Sequence, residues 1–254
     1  MYATALRSKY DWELSLSGPT TSKIGLHHFA DKELKNVEIS NGVYMLELNF
    51  HGNTIHPTLL WDQEMAVLID TGFPGQIEDL KAAMKKVGVS LDQINVVILT
   101  HQDIDHIGCL PDILRECSDH VQVYAHELDQ PYIQGELPLL KDGQIQNPPK
   151  GRIDNTVNDG QELPFCGGIQ IIHTPGHTPG HISLYLKRSK TLIAGDSLYS
   201  VNGILGGIHE PTTLNIEEAR LSVKKYLEFH IESAICYHGG LSRGKINDQI
   251  RMLK

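Results

Sequence analysis

The chain has 254 residues, 40% of them hydrophobic, and a formal net charge of −9 at pH 7, values typical of one globular domain, residues 1–254. The acidic balance argues against a nucleic-acid or membrane partner, so a small-molecule substrate is expected, with the oligomeric state left open. The four cysteines form no CxxC pair, and no apolar segment is long enough for a signal peptide or a membrane span, which predicts a reduced, cytoplasmic protein.

The N-terminal third predicts an arm, a meander and a helix. Polar and turn-forming residues dominate residues 1–40, which we interpret as an N-terminal arm that covers a neighbouring surface or the site. Three apolar segments bounded by turn residues follow and should pair as an antiparallel meander. They cover residues 43–50, 58–61 and 65–70. Apolar residues then recur at helical spacing over residues 77–87, and Gly88 predicts the end of that helix.

The most informative segment is residues 100–106, which reads THQDIDH and follows an apolar strand predicted over residues 94–99. It carries four potential metal ligands within six residues: His101, Asp103, Asp105 and His106. A strand directs alternate residues to one side, so His101 and Asp103 can face one point. A helix that starts at Asp105 and His106 can then present a second pair of ligands to an adjacent point.

A loop-rich insertion follows this segment. We predict a short helix over residues 107–114 and a strand over residues 121–125, and then a stretch rich in Pro, Gly, Gln and Asp over residues 126–160. Only residues 128–132 within it indicate a helix. A loop of this length in a compact domain is usually a lid or a binding insertion.

The second half of the chain repeats the order of strands followed by a helix. We predict strands over residues 169–172, 182–186, 191–194 and 234–237, a helix over 215–229 and a last helix that ends the chain. Asn215 is the expected N-cap of the longer helix, with Glu218 three residues later. The repetition predicts two sheets packed face to face with helices outside, in the α/β (α+β) class.

Three further residues of types that bind metal ions lie next to a glycine at the ends of apolar segments. His177 lies in the turn TPGHTPGH, Asp196 follows residues 191–194, and His238 follows residues 234–237. Together with residues 100–106, they describe a site assembled at strand ends from distant parts of the chain.

These motifs resemble those of the metallo-β-lactamase fold superfamily of metallohydrolases. The matching segments occur in the order of that family: residues 67–72 (VLIDTG), 100–106, 174–181, 195–196 and 237–239. The resemblance implies a four-layer αββα sandwich with a binuclear metal site in the cleft between its halves. It assigns His101, position 103 and His177 to the first metal, and Asp105, His106 and His238 to the second, with Asp196 as the bridge.

Position 103 departs from the family pattern, because the usual motif has histidine where this chain has Asp103. A carboxylate is a harder ligand than imidazole and adds negative charge, which makes iron or manganese credible occupants, although zinc remains the first expectation for the two divalent ions. Three carboxylates would face these ions, so a bound water should be less acidified than with histidine at this position.

Other polar residues of the motifs are expected to support the ligands. Asp70 should cap the turn after its strand and brace the metal loop, and His173 and His181 should orient the turn around His177 by hydrogen bonds. They are not expected to bind an ion themselves.

The resemblance implies hydrolysis of a small acyl compound (a lactone, an ester or a thioester) by a metal-bound hydroxide. Asp105 would also accept or return the proton. Tyr199 lies three residues after Asp196, and N-acyl homoserine lactonases of this superfamily have a tyrosine at that spacing. By this resemblance Tyr199 would support the substrate carbonyl or the leaving oxygen.

Two other functions remain open. One is a mono- or di-iron redox or dioxygenase enzyme, because relatives with this fold hold a single iron with two histidines and one aspartate, a set that His101, His177 and Asp196 can provide. The other is a metal-binding regulatory protein that lost turnover through Asp103.

Overall fold

The computed structural model describes residues 35–117 and 120–253. These residues belong to one compact unit, Leu34–Lys254. The arm expected over residues 1–40 lies mostly outside the described part. Its last residues are not an arm, because Val37–Ser40 forms a strand that pairs antiparallel with the strand after it and is therefore part of a sheet.

The first sheet contains seven of the first nine strands. In chain order these nine strands are β1 (Val37–Ser40), β2 (Val43–Met45), β3 (Leu48–Phe50), β4 (Asn53–Ile55), β5 (Thr58–Trp61), β6 (Ala66–Ile69), β7 (Ile94–Ile98), β8 (Gln122–His126) and β9 (Asn155–Val157). The sheet order is β1-β2-β5-β6-β7-β8-β9, and β3 and β4 form a separate hairpin. Pairing is antiparallel from β1 to β6, as the meander predicted, and parallel from β6 to β9.

The second half of the chain also forms one large sheet, here of six strands, and one separate hairpin. This half contains β10 (Glu162–Leu163), β11 (Ile169–His173), β12 (Ile182–Leu186), β13 (Thr191–Gly195), β14 (Tyr199–Val201), β15 (Ile204–Gly207), β16 (Ser233–Cys236) and β17 (Gly240–Arg243). The sheet order is β10-β11-β12-β13-β16-β17, with β14 and β15 in a hairpin of their own. Only the β13–β16 pair is parallel.

The described residues also form six α-helices, of which the first five lie in connections between parallel strands and the last follows β17. They are α1 (Ile77–Lys86), α2 (Ile104–Ile107), α3 (Leu110–Glu116), α4 (Gln130–Ile133), α5 (Ile216–Lys224) and α6 (Ile246–Met252). α1 joins β6 to β7 and α3 joins β7 to β8; both are crossover connections between parallel strands, for which the right-handed form is the general rule. No helix within residues 35–117 and 120–253 is long and apolar enough to cross a membrane.

The main core lies between the two sheets. Val67 and Ile69 of β6 and Val96 and Ile98 of β7 meet Ile171 and other side chains of the second sheet in one buried cluster. A second cluster packs the outer face of the second sheet against α5 and α6. Alternation along the strands sends one set of side chains into each layer. The predicted αββα architecture is confirmed.

Two predicted elements are divided in the structure. The strand expected over residues 43–50 is divided into β2 and β3, which have different partners: β2 pairs with β1 and β5, and β3 pairs with β4 in the separate hairpin. The helix expected over residues 107–114 is the end of α2 followed by α3. Pro111 cannot continue a helix from the preceding turn, and Gly108 packs so closely that a Cβ there would lie 2.3 Å from the carbonyl carbon of Phe73.

The loop-rich insertion of residues 126–160 contains two regular elements. α4 (Gln130–Ile133) corresponds to the helix indicated over residues 128–132. β9 (Asn155–Val157) was not predicted, and it pairs parallel with β8 at the edge of the first sheet. The insertion is therefore anchored at both ends.

Candidate metal centre

The seven predicted ligands lie at one edge of the two sheets, where strands end. His101 comes three residues after β7, and Asp103 is the N-cap of α2, which carries Asp105 and His106. From the second sheet, His177 lies in the turn between β11 and β12, Asp196 follows β13, and His238 comes two residues after β16.

These residues form two groups of potential ligand atoms, and within each group the atoms lie within 4.8 Å of one another. The first cluster contains His101, Asp103, His177 and Asp196, and the second cluster contains Asp105, His106 and His238. Asp196 also contacts the second cluster, because its Oδ1 is 3.4 Å from Nε2 of His106 and its Oδ2 is 3.3 Å from Nε2 of His238. The two groups contain the same residues as the two ligand sets that the resemblance to the superfamily implies.

The two clusters fit a divalent cation. Nε2 of His101, Nε2 of His106 and Oδ1 of Asp196 are buried and have no hydrogen-bond partner among the described residues. A buried polar atom without a partner costs free energy, and imidazole nitrogens and carboxylate oxygens are ordinary ligands of zinc. An ion at each cluster would satisfy these atoms.

Asp70 supports the segment that carries the ligands, as predicted. Its Oδ1 accepts from the Thr100 amide at 2.8 Å, and its Oδ2 accepts from the Thr100 hydroxyl at 2.8 Å. Oδ2 also lies 2.9 Å from Nδ1 of His106. Such a contact places the His106 proton on Nδ1 and leaves Nε2 free for an ion.

His173 and His181 also support the ligands, as predicted. Nε2 of His181 accepts from the Asp196 amide at 3.0 Å, while its Nδ1 lies 2.8 Å from the Thr174 hydroxyl. His173 contacts the Pro179 carbonyl through Nε2 at 2.9 Å. These bonds hold the turn that carries His177 and fix the backbone at Asp196.

Asp129, which sequence reasoning missed, joins the two ligand loops. Its carboxylate accepts from the amide and the side chain of Gln102 at 3.0 and 3.1 Å, from the Thr178 hydroxyl at 2.8 Å and from the Gly180 amide at 2.9 Å. Burial raises the pKa of Asp129 despite these donors. No sequence signal marks Asp129, because it lies in the weakly patterned insertion.

Lys141 is the second residue that the sequence did not indicate. It reaches into the first cluster from the insertion, where its Nζ lies 2.5 Å from Oδ2 of Asp103 and 2.7 Å from Nε2 of His177. A third bond goes to the Thr212 carbonyl at 3.1 Å. The expectation of a binding insertion was the only signal that pointed towards it.

The electrostatics of the site favour ionised carboxylates. Burial alone would raise the pKa of Asp103, but Lys141 and His101 outweigh it and hold the pKa well below the usual range. The pKa of Asp196 is also held well below its usual range, because His238 and His106 outweigh the effect of burial. Both side chains are therefore negative at neutral pH and attract a cation.

The second cluster is the more accessible one. The side chain of His238 is 41% exposed, whereas those of His101 and His177 in the first cluster are 0% and 2% exposed. Tyr237, the residue before His238, contacts the other two members of the second cluster. Its hydroxyl donates to the Asp105 carbonyl at 2.5 Å, and its ring packs on the His106 ring with centroids 3.8 Å apart. A substrate would therefore approach from the side of His238.

Tyr199 begins β14, in a hairpin that the sequence did not predict. The half-buried ring packs over Gly206, where a Cβ would lie 2.3 Å from it, and meets the His209 ring edge-on at 6.1 Å. The described contacts do not join Tyr199 to a ligand residue. Its catalytic role stays a prediction.

Comparison with known proteins agrees with the fold. Residues 53–238 match the family described as the metallo-beta-lactamase superfamily. The probable metallo-hydrolase YflN of Bacillus subtilis is 32% identical over 180 residues, which cover 65% of this chain and 67% of that protein. Hydroxyacylglutathione hydrolase GloC of Haemophilus influenzae is 29% identical over 56% of this chain and 66% of its own length.

A solved structure shows the same fold at lower identity. The metallo-beta-lactamase from Pontibacter korlensis superposes with a TM-score of 0.66 at 21% identity, over 85% of this chain and 96% of the other. The chain spans about three fifths to two thirds of the length of the curated relatives that it matches.

Proposed function

The chain belongs to the metallo-β-lactamase superfamily, and we propose that it is a zinc-dependent hydrolase of a small acyl compound, such as a lactone, an ester or a thioester. The observation that carries the proposal is the set of buried ligand atoms in the two clusters that have no hydrogen-bond partner among residues 35–117 and 120–253. Iron or manganese is an acceptable substitute for zinc because Asp103 adds a hard ligand. We also propose that the protein acts in the cytoplasm without a nucleic-acid partner.

The residues around the clusters have separate tasks in this proposal. Asp105, His106 and His238, together with Asp196, would hold the ion that the reaction requires, and His101, Asp103, His177 and Asp196 form a second group of potential ligands. An ion held there would supply a water of lowered pKa and polarise the substrate carbonyl. Asp105 is buried, with Oδ2 3.4 Å from Nε2 of His238, so its carboxylate can take up and return a proton at that position.

Tyr199 is proposed to bind the acyl group. A phenol hydroxyl can donate to the oxygen on which negative charge develops in the transition state, as acyl transfer requires. Tyr199 belongs to the β14–β15 hairpin, which packs beside β17 and beside the turn that carries His238.

The relatives support a hydrolase, and GloC in particular supports a thioester. The name of GloC states that it cleaves hydroxyacylglutathione, which is a thioester, and that of YflN states a probable metallo-hydrolase. Both relatives share the superfamily and about 30% of their residues with this chain over the aligned part.

A substrate panel with a ligand variant tests the proposal. The zinc-loaded protein is assayed with an N-acyl lactone, an aryl ester and a glutathione thioester, in parallel with Asp196→Asn and with Asp248→Asn as a control at an exposed helix position. We expect at least one substrate to be cleaved, about 100-fold or more slowly by Asp196→Asn and at the wild-type rate by Asp248→Asn. Equal rates in all three proteins would rule out this site as the origin of the activity.

Two results would favour the other functions. One iron per chain after anaerobic purification, together with oxygen consumption, would replace hydrolysis with an iron-dependent oxidation. A fully metallated protein that cleaves none of the three substrate classes would favour a regulatory metal-binding protein.

Tyr199→Phe tests whether the Tyr199 hydroxyl acts on a lactone or ester substrate or whether the side chain only packs against its neighbours. The substitution keeps the ring that packs on Gly206, so the folded protein and its metal content should not change. We expect kcat to fall about 10- to 100-fold while KM changes little, and Tyr124→Phe, whose hydroxyl contacts Gln122, should match wild type. An unchanged kcat would assign Tyr199 to packing.

A further inference from the structure

Lys141 provides a cation at the first cluster. Its Nζ lies 2.5 Å from Oδ2 of Asp103 and 2.7 Å from Nε2 of His177, and both residues belong to the group that could hold the first metal ion. The Lys141 side chain is 16% exposed, so it is mostly withdrawn from solvent. The ammonium therefore lies where two ligands of the first ion converge.

The contact with His177 uses an electron pair that an ion would need. A lysine ammonium has three donors and no acceptor, so the contact requires Nε2 of His177 to accept. The His177 proton is then on Nδ1, which is buried and has no hydrogen-bond partner among the described residues. One lone pair cannot bind both the lysine proton and a metal ion, so Lys141 and a metal ion exclude one another at this nitrogen.

The backbone around Lys141 is anchored to the ligand loop itself. The amide of Leu140 donates to Oε1 of Gln102 at 2.8 Å, and Gln102 lies between the ligands His101 and Asp103. Gln102 is fully buried and is also bonded to Asp129. At the tip of the Lys141 side chain, Nζ donates to the Thr212 carbonyl. Several independent contacts therefore fix both the backbone next to Lys141 and its ammonium group.

We propose that the Lys141 ammonium takes the place of the first metal ion, so that the protein holds one tightly bound divalent ion, at the second cluster. Asp103 then has a reason to be a carboxylate: it pairs with a lysine, where the histidine of the family pattern would repel one. A second ion binds only if the insertion releases Lys141. This inference rests on the proposed function in one respect, namely that the same clusters bind metal.

Metal stoichiometry tests the proposal without an activity assay. Wild type, Lys141→Met and Lys150→Met are each titrated with zinc against a competing chelator, and the bound zinc is measured by elemental analysis. Met retains the length and apolar stem of lysine, and Lys150 is an exposed lysine of the same insertion. We expect one tightly bound ion in wild type and Lys150→Met and two in Lys141→Met, with the affinity for the second ion raised about tenfold or more.

Asp103→His provides a second variant in case Lys141→Met does not fold. It removes the ion-pair partner of Lys141 and adds an imidazole ligand, so it should also bind a second zinc ion and bind zinc more tightly than wild type. Two tight ions in wild type, or one ion in wild type and in both variants, would overturn the role of Lys141 and leave the metallohydrolase proposal standing. No bound zinc in any of the proteins would overturn both.

Discussion

At the scale of single residues, the bonds of Asp70 control how His106 presents its free nitrogen. Asp70 accepts from the Thr100 amide and hydroxyl and contacts Nδ1 of His106. In Asp70→Asn, one oxygen becomes an NH₂ group, which cannot accept these bonds. We expect the affinity of the second cluster for zinc to fall about 10- to 100-fold.

Competition with a chelating dye measures this affinity. Asp92→Asn changes an exposed carboxylate and should bind zinc as wild type does. If Asp70→Asn also retained the wild-type affinity, Asp70 would be a residue of the turn alone, without influence on His106.

The environment of His126 predicts that acid lowers the stability of the fold, independently of the metal ligands. The Leu128 amide donates to its Nδ1 at 3.2 Å, and its ring stacks on His173 with centroids 4.0 Å apart. Burial, with the neighbouring His173, lowers the pKa of His126 to about 4 from an ordinary value of 6.5. The unfolded chain therefore binds more protons between these pH values, and the free energy of unfolding falls as the pH drops from about 6.5 to about 4.

His126→Gln should remove this part of the pH dependence. We expect wild type to lose up to about 3 kcal/mol more than the variant over this pH range. Urea unfolding at several pH values in the presence of a chelator measures the difference, with His230→Gln as the control because that side chain is 72% exposed. Parallel pH curves for wild type and His126→Gln would contradict the assignment.

The candidate ligand residues could be recognised in the sequence, whereas the contacts of Asp129 and Lys141 could not. Each ligand stands at the end of an apolar segment beside glycine or in a dense polar motif, which is a local signal. Lys141 meets His177 across 36 residues and Asp129 meets Gly180 across 51. Both residues lie in a segment without periodicity, so only the folded chain defines their contacts.

At the scale of elements, the β14–β15 hairpin packs on the turn that carries His238. Gly239 has φ +86°, and a Cβ there would lie 1.8 Å from the Ser200 carbonyl oxygen of β14. The Ser200 amide in turn donates to the His238 carbonyl at 3.0 Å. Close approach of the two backbones therefore fixes the position of this ligand.

Gly239→Ala and Gly75→Ala separate the steric effect from backbone strain. Gly75 has φ +85°, and a Cβ added there would meet nothing within 4 Å, so Gly75→Ala should lose about 1 kcal/mol from strain alone. Gly239→Ala should lose at least about 2 kcal/mol more, because two backbones must separate, and should bind zinc more weakly. Chemical unfolding and zinc titration measure both effects. Equal losses of unfolding free energy in the two variants would mean that the hairpin can move away from residue 239 without destabilising the protein.

Elements were predicted best where one pattern runs without interruption. β12 has the predicted bounds, and Asn215 caps α5 by accepting from the Glu218 amide at 3.2 Å. The segments over 43–50 and 107–114 were predicted as single elements because hydrophobic spacing alone does not show where the backbone turns. The short strands β9, β14 and β15 lack a periodic signal because they have only three or four residues each.

At the scale of the whole molecule, each cluster takes ligands from both halves of the sandwich. His101 and His106 follow β7 of the first sheet, while His177 and His238 follow strands of the second. The resemblance to the superfamily predicted this arrangement, because its motifs occur in the same order. An ion at either cluster therefore connects two sheets that otherwise meet through the apolar core.

This arrangement predicts that zinc stabilises the entire fold. An ion that binds the folded chain and not the unfolded one adds about 2.7 kcal/mol when free zinc is 100 times the dissociation constant. For a chain of this size, that corresponds to a rise in Tm of about 5–10 °C. Differential scanning calorimetry at a series of free zinc concentrations should show one cooperative transition that moves upward with zinc, because both halves share the ligands.

Asp196→Ala is the matched variant for this measurement, since Asp196 contacts His106, His177 and His238. Its Tm should respond to zinc much less than that of wild type. Two separate transitions, with only one of them sensitive to zinc, would contradict shared ligation, because each sheet would then unfold independently of the ion. A single transition that moves in wild type and stays fixed in Asp196→Ala would show that the two sheets unfold together and that the stabilising ion depends on Asp196.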